Sequence, residues 1–143
     1  MGKAALVSID NIVLIRDMLP SDRNFVAATW IKGLRVGNPD FKVIPKEMYF
    51  DHYNKVIKQV LDRARTRVSV LKDEPDVILA WAVTEKNILH YCYCKPAWRR
   101  LGLVKRMVPS ATNTCSHLTE MVKPFLPRKI KYVQYEKLEK QFQ

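Results

Sequence analysis

The residues with the clearest chemistry are Lys95-Pro96-Ala97-Trp98-Arg99-Arg100-Leu101-Gly102-Leu103-Val104. They lie between an apolar run that reads as a strand, Ile88 to Cys94, and a run that reads as a helix up to Val108. A strand-to-helix turn leaves backbone N–H groups pointing outward, and the helix dipole adds positive potential there. Gly102 lets a ligand approach the backbone, because no side chain blocks it. Arg99, Arg100, Lys105 and Arg106 surround the turn with cations suited to phosphate. These residue types in this order fit a phosphorylated ligand. Trp98 either stacks on a base or adenine ring or packs under the loop.

Other reactive side chains form weaker patterns. His90, Cys92 and Cys94 alternate on one strand face. A zinc site needs about four converging ligands, and only Cys115 and two scattered histidines remain, so no metal is expected. A Cys nucleophile with a His base is poorly served by strand neighbours two apart, which favours structural thiols. Three cysteines in so short a chain do not read as a disulfide framework and fit a reducing, cytoplasmic setting. The N-terminal residues lack the apolar stretch of a signal peptide. The longest uncharged apolar run, Val77 to Thr84, is far short of the roughly 20 residues of a membrane span, so no membrane partner is expected.

The chain has 143 residues, 25 Lys+Arg and 14 Asp+Glu, a formal charge of +11. That length suits one domain over residues 1–143. Residues 1–94 carry 14 basic and 11 acidic groups; residues 95–143 carry 11 and 3. The excess of +8 in the last third attracts nucleic acid, nucleotide phosphates or acidic proteins alike, or serves as a solubilising surface.

The elements that must position the turn follow from periodicity. Ile12 to Ile15 reads as a strand. Ser21 or Asp22 caps a helix whose pattern breaks at Gly33 and again at Gly37-Asn38-Pro39-Asp40. Pro45 to about Ala64 reads as a second helix, with Met48, Phe50, Tyr53, Val56, Ile57, Val60 and Leu61 on one face packed against a sheet. Arg67 to Lys72, Val77 to Val83 and Ile88 to Cys94 then form an antiparallel meander with turns at 73–76 and 84–87. The middle strand is apolar throughout, as when helices cover both faces of a sheet. Pro109 ends or kinks the helix after the turn. Residues 110–114 read as loop, 116–125 as helix, 130–135 as a last strand and 136–143 as a polar helix.

These features resemble the GCN5-related N-acetyltransferase (GNAT) family. Its acyl-CoA loop, Gln/Arg-x-x-Gly-x-Gly/Ala between the fourth strand and third helix, is matched by Arg99 to Val104, and its Pro-x-aromatic by Pro96-Ala97-Trp98. The resemblance covers roughly residues 12–108. It implies an α/β (α+β) fold, a mixed, mostly antiparallel sheet flanked by helices. It implies an N-acyltransferase, most simply moving acetyl from acetyl-CoA to an amine acceptor that is not legible. By resemblance, the backbone of Tyr93 and Cys94 would bond the pantetheine arm and acyl carbonyl. Arg99, Arg100, Leu101, Gly102, Leu103 and Val104 would hold the pyrophosphate, and Lys105 could reach a phosphate. Residues 130–135 look like the fifth strand, and Tyr135 to Leu138 like the start of the fourth helix. Tyr135 would protonate the departing thiolate, with Tyr132 in reserve; alternatively Tyr135 packs on the sheet. Glu85 or water would take the amine proton. Two departures stand out: Val104 replaces the second Gly or Ala, and the C-terminal part reads as shortened and irregular, with Pro109 cutting a helix that the family keeps unbroken and little left for the family's closing strands.

A competing reading keeps the fold without the reaction, as a module binding nucleic acid or a protein through the basic last third. Its nucleic-acid form has a measurable mark. Affinity for nucleic acid should fall steeply with added salt, and absent binding at low ionic strength would remove that form.

Overall fold

The computed structural model describes residues 8–117, 122–123 and 129–142. A short helix α1 (Ile9–Ile12) leads into β1 (Val13–Asp17). A 3-10 turn, Pro20–Asp22, opens α2 (Arg23–Gly37). Then come α3 (Pro39–Lys42), α4 (Lys46–Arg63), and the strands β2 (Arg65–Leu71), β3 (Ile78–Glu85) and β4 (Ile88–Cys94). After the 3-10 turn Pro96–Trp98 follow α5 (Leu103–Met107), β5 (Thr114–Cys115), β6 (Lys131–Tyr132) and α6 (Tyr135–Leu138), with a closing 3-10 turn over Glu139–Phe142.

The strands form one sheet in chain order, β1 to β6. Pairing is antiparallel from β1 to β4 and parallel from β4 through β6. The α/β architecture with a mixed, mostly antiparallel sheet is therefore as expected. β3 carries an apolar side chain toward each face, and two separate cores result. On one face Val68, Val70, Trp81, Val83 and Tyr91 pack against α2 and α4 through Val26, Trp30, Leu34, Tyr53, Val56 and Val60. On the other, Leu79, Ala80, Ala82, Leu89, Cys92 and Cys94 meet Leu103 and Met107 of α5.

Two sequence expectations change in the first half. Asp22 does not cap α2. Its carboxylate accepts from the Leu19 N–H at 2.7 Å and from Arg16 at 2.5 and 3.2 Å, tying β1 to the entry of α2. Arg16 and the Leu19 N–H hold the Asp22 carboxyl below its ordinary value. Nor does Gly33 break α2, which runs on to Gly37. Gly33 is where β4 presses on the helix, since a Cβ there would lie 3.0 Å from the Tyr91 hydroxyl.

The last third departs more. The strand beside β4 is Thr114–Cys115, in a stretch expected to be mostly loop, and not residues 130–135. Only Lys131 and Tyr132 of the latter are strand, one place further out. Tyr135 already begins a helix, where the resemblance puts one. The helix expected over 116–125 falls largely outside the described residues. Pro109 ends α5 after a turn and a half, as expected. Among the described residues no helix is long and apolar enough to cross a membrane.

Gly33→Ala tests the close approach of α2 and β4. In an open helix the change adds up to about 1 kcal/mol. Here Tyr91 cannot recede, because its ring stacks on Trp30 at 5.7 Å. A net loss of about 1 kcal/mol in urea unfolding is expected, and a net gain would contradict the packing.

Candidate functional site

The site begins with an irregularity in β4. Val83 of β3 faces Tyr91, yet Thr84 faces Leu89, so His90 is an extra residue, a β-bulge. Bulges bend a strand and end regular pairing, and they recur beside active sites. β5 pairs with β4 only at Ile88 and Leu89, before the bulge. Beyond it, Tyr91 to Cys94 are paired to β3 on one side and part from β5 on the other.

A cavity of about 350 Å³ opens along that freed side. Leu89, Cys92 and Cys94 of β4 form one wall, Trp98 and residues 100 and 102–105 the end, and Val108, Thr112 and Ile130 much of the rest. Trp98 is half-buried there and packs on the second core. Most of the lining is apolar; Arg100, Lys105 and Lys129 supply the cations.

The turn at the cavity's end has an unusual backbone. Arg100 and Gly102 are both left-handed, with φ 67° and 78°. This is strained for Arg100, and such strain clusters at binding sites. The first backbone bond of α5 runs from the Arg106 N–H to the Gly102 carbonyl, 3.2 Å. No described backbone carbonyl accepts from the N–H groups of residues 100–105. Val104 does not fill the turn: it is half-buried in the cavity wall and leaves its N–H in place. Arg99 turns away, its Nε donating to the Cys94 carbonyl at 3.0 Å. That bond occupies one backbone group that the resemblance reserves for the pantetheine arm. Arg106 pairs with Asp10. Leu101 is exposed outside the cavity. The Tyr93 ring lies on the opposite face of the sheet, edge-on to Phe25 and stacked on Trp81.

The acid–base candidates come together elsewhere. Glu85 ends β3 rather than sitting in a turn, and its side chain is only 15% exposed. It accepts from Arg63 Nε at 3.0 and 3.2 Å and from His90 Nε2 at 2.8 Å. Arg63 Nη2 also donates to the Tyr135 hydroxyl at 3.0 Å. Glu85 and Tyr135 are thus held by one guanidinium that sequence reading did not single out. Tyr135 is buried, stacked on His117 at 5.7 Å and edge-on to His90 at 5.8 Å, and is not part of the cavity lining. Tyr132 is 39% exposed on the edge strand β6.

A hydrogen-bonded chain crosses from β4 to the residues after β5. A carboxylate only accepts, so His90 Nε2 carries the proton toward Glu85 and its Nδ1 is an acceptor. Ser116 Oγ–H then donates to His90 Nδ1 at 2.7 Å, and Ser116 accepts from His117 Nδ1–H at 2.9 Å. His117 Nε2 remains a bare lone pair, buried and without a hydrogen-bond partner. Burial keeps both rings neutral, lowering His90 and pushing His117 down to about 3. Neither ring was assigned this place from sequence, because the bulge that turns His90 out of register has no Gly or Pro to mark it.

The three cysteines form no disulfide and are buried. Burial raises the Cys94 thiol and takes Cys115 up to about 11, which suits packing rather than reaction. Among the described residues no three His, Cys, Asp or Glu converge as metal ligands.

No protein-family model and no curated protein matches the chain. Solved structures similar to it include apo YjaB from Escherichia coli, at TM-score 0.49 and 16% identity over 69% of this chain and 63% of that one. This chain thus spans less than two thirds of that relative. A possible acetyltransferase from Clostridium difficile 630 matches at TM-score 0.49 and 15% identity, over 92% and 86% of the two chains. An aminoglycoside N-acetyltransferase, AAC(6')-Iy, solved with CoA, matches at 0.46 and 13%, over 91% and 82%.

The buried histidines set a pH dependence. Their native pKa values lie below the unfolded value of about 6.5, so the unfolded chain binds more protons between the two. Stability is therefore full above pH 6.5 and is lost as pH falls from there toward about 3, the His117 value. The loss approaches about 1.4 kcal/mol per pH unit for His117 alone. Urea midpoints at pH 7 and pH 5 should differ accordingly, and equal midpoints would contradict the neutral burial of His117.

Proposed function

We propose that the chain binds an acyl-CoA in the cavity beside β4 and transfers its acyl group, most simply acetyl, to an amine. The observation that carries this reading is the joining of three features in one groove: a strand freed on one side, an apolar cavity and a turn of open N–H groups. A pantetheine arm is an amide chain, and a freed strand is the partner such a chain accepts. A diphosphate needs clustered backbone N–H donors and cations, and residues 100–105 present both.

In this reading the N–H groups of residues 100–105 hold the pyrophosphate, with Arg100 and Lys105 beside it. Cys92, Cys94, Leu103 and Val104 enclose the arm and keep water from it. Holding thioester and amine together supplies most of the rate, since acyl transfer between bound partners gains chiefly from proximity. The amine nitrogen bonds to the acyl carbon, the carbon–sulfur bond breaks, the amine proton leaves and the thiolate is protonated. Glu85 lies at the outer end of the His90–Ser116–His117 chain, and Tyr135 lies under Arg63, both off the cavity lining. Both proton transfers are therefore assigned to water.

Thermal unfolding tests the reading. At about a hundredfold excess over Kd, a ligand of the folded state adds about 2.7 kcal/mol, a rise of several degrees for a chain of this size. Acetyl-CoA should produce that rise. A Cβ at Gly102 meets nothing within 4 Å, so Gly102→Glu should fold, at a cost of about 1–2 kcal/mol for a side chain at φ 78°. Its carboxylate would repel phosphate and abolish the ligand shift. A full shift in Gly102→Glu would place the ligand elsewhere.

A further inference from the structure

The cavity is polar at one end and apolar at the other. At the turn, Arg100 and Lys105 stand beside the open N–H groups of residues 100–105. Away from the turn the wall is Leu89, Val108, Thr112 and Ile130. Thr112 adds only carbon to it, because its Oγ1 is sealed inside the protein. The polar side chains beside this wall, Ser110 and Lys129, are exposed to solvent.

The apolar end is tied to the start of β4. The N–H groups of Asn113 and Thr114 both bond the Asn87 carbonyl, at 3.0 and 3.2 Å, and the Lys131 N–H, next to Ile130, bonds the Asn113 carbonyl at 2.9 Å. The residues after β5 hold β4 as far as the Leu89 carbonyl, which accepts from the Ser116 N–H at 3.1 Å. An amide arm can therefore pair with β4 only over Tyr91 to Cys94, about 13 Å of strand. An extended pantetheine arm covers roughly 15 Å from phosphate to sulfur at ordinary chain dimensions. With its phosphates at the turn, its thioester falls at the His90 bulge. An acetyl group stops there and leaves the Leu89–Ile130 end empty. An empty apolar space forfeits the contacts of its lining, stays dry and takes up apolar groups.

We propose that the cavity beyond the bulge is an acyl-chain pocket, and that the thioester it receives carries a straight chain of about four to eight carbons rather than acetyl. This rests on the acyl-CoA reading above and names the class of acyl group. The upper limit is the length of β4 between the bulge and Asn87, about 10 Å. The ligand is then an anionic head on the turn, an amide arm on the freed strand and a hydrocarbon tail against Leu89, Val108 and Ile130.

The test titrates the full chain calorimetrically with acetyl-, butyryl-, hexanoyl- and octanoyl-CoA. Affinity should rise about two- to fourfold per added methylene up to hexanoyl, the effect of burying each one. Two variants at Ile130 push the pocket in opposite directions. Ile130→Phe fills it and should bring hexanoyl-CoA to within about twofold of acetyl-CoA, since the added methylenes are then left in water. Ile130→Ala enlarges it and should move the tightest binding to octanoyl-CoA. Urea unfolding checks that each variant is folded, and if Ile130→Phe is not, Ile130→Ala decides. Equal affinity for acetyl- and hexanoyl-CoA in the unmutated chain would overturn the pocket. So would a gain per methylene that Ile130→Phe leaves intact, or an optimum that Ile130→Ala leaves unmoved, because the tail would then lie elsewhere. If the unmutated chain binds none of the four, the acyl-CoA reading fails and the pocket falls with it. Binding of all four without dependence on chain length overturns the pocket alone.

Discussion

The structure depends on a pairing that stops early. β4 and β5 share only two residue pairs, Ile88 with Thr114 and Leu89 with Cys115, and the bulge at His90 follows at once. A longer parallel ladder would have closed the edge of β4 and left no groove. A shorter one would have detached the chain after α5 from the sheet. The splay lets Cys92 and Cys94 face a cavity while still bonded to β3.

Holding a strand bent at one residue requires support from both faces, and the second half of β4 has it. Tyr91 is clamped by Trp30, Trp81 and the bare backbone at Gly33. Trp81 is itself anchored, its Nε1–H donating to Thr29 Oγ1 at 2.9 Å while that hydroxyl donates to the Phe25 carbonyl at 2.8 Å. At the bulge, the Glu85–His90–Ser116–His117 chain spans the point where the strands part, and Arg63 fastens its outer end to Tyr135 on α6. Most of these polar groups are buried and nearly all are satisfied, so they fix geometry rather than add stability. Cavity and polar chain are thus two consequences of one bulge, with the first open to a ligand and the second enclosed in protein.

What could be read from the sequence follows the physics of each segment. The meander was legible because β2, β3 and β4 alternate or run apolar between turn residues, and α4 because its face repeats at helical spacing. The turn at 99–104 was legible from Gly102 and its arginines. The segment after Pro109 was not. A two-residue strand has no periodicity, so Thr114–Cys115 reads as loop until Asn87 and Leu89 are seen bonding it. Asp22 looked like a helix cap because the distant Arg16 is invisible to local reading. Glu85 and Tyr135 were named singly, but the Arg63 that joins them is one arginine among many in a basic chain. Gly33 looked like a break because its reason, Tyr91, lies on another element.

The central claim is that the open side of β4 and the turn after it receive an acyl-CoA. Backbone amide shifts, followed by heteronuclear NMR as acetyl-CoA is added to the isotopically labelled chain, test it most directly. The account predicts the largest changes at the N–H groups of residues 100–105 and of Cys92 and Cys94, with α4 nearly unmoved. Shifts confined to other surfaces, or a spectrum unchanged at millimolar acetyl-CoA, would contradict it.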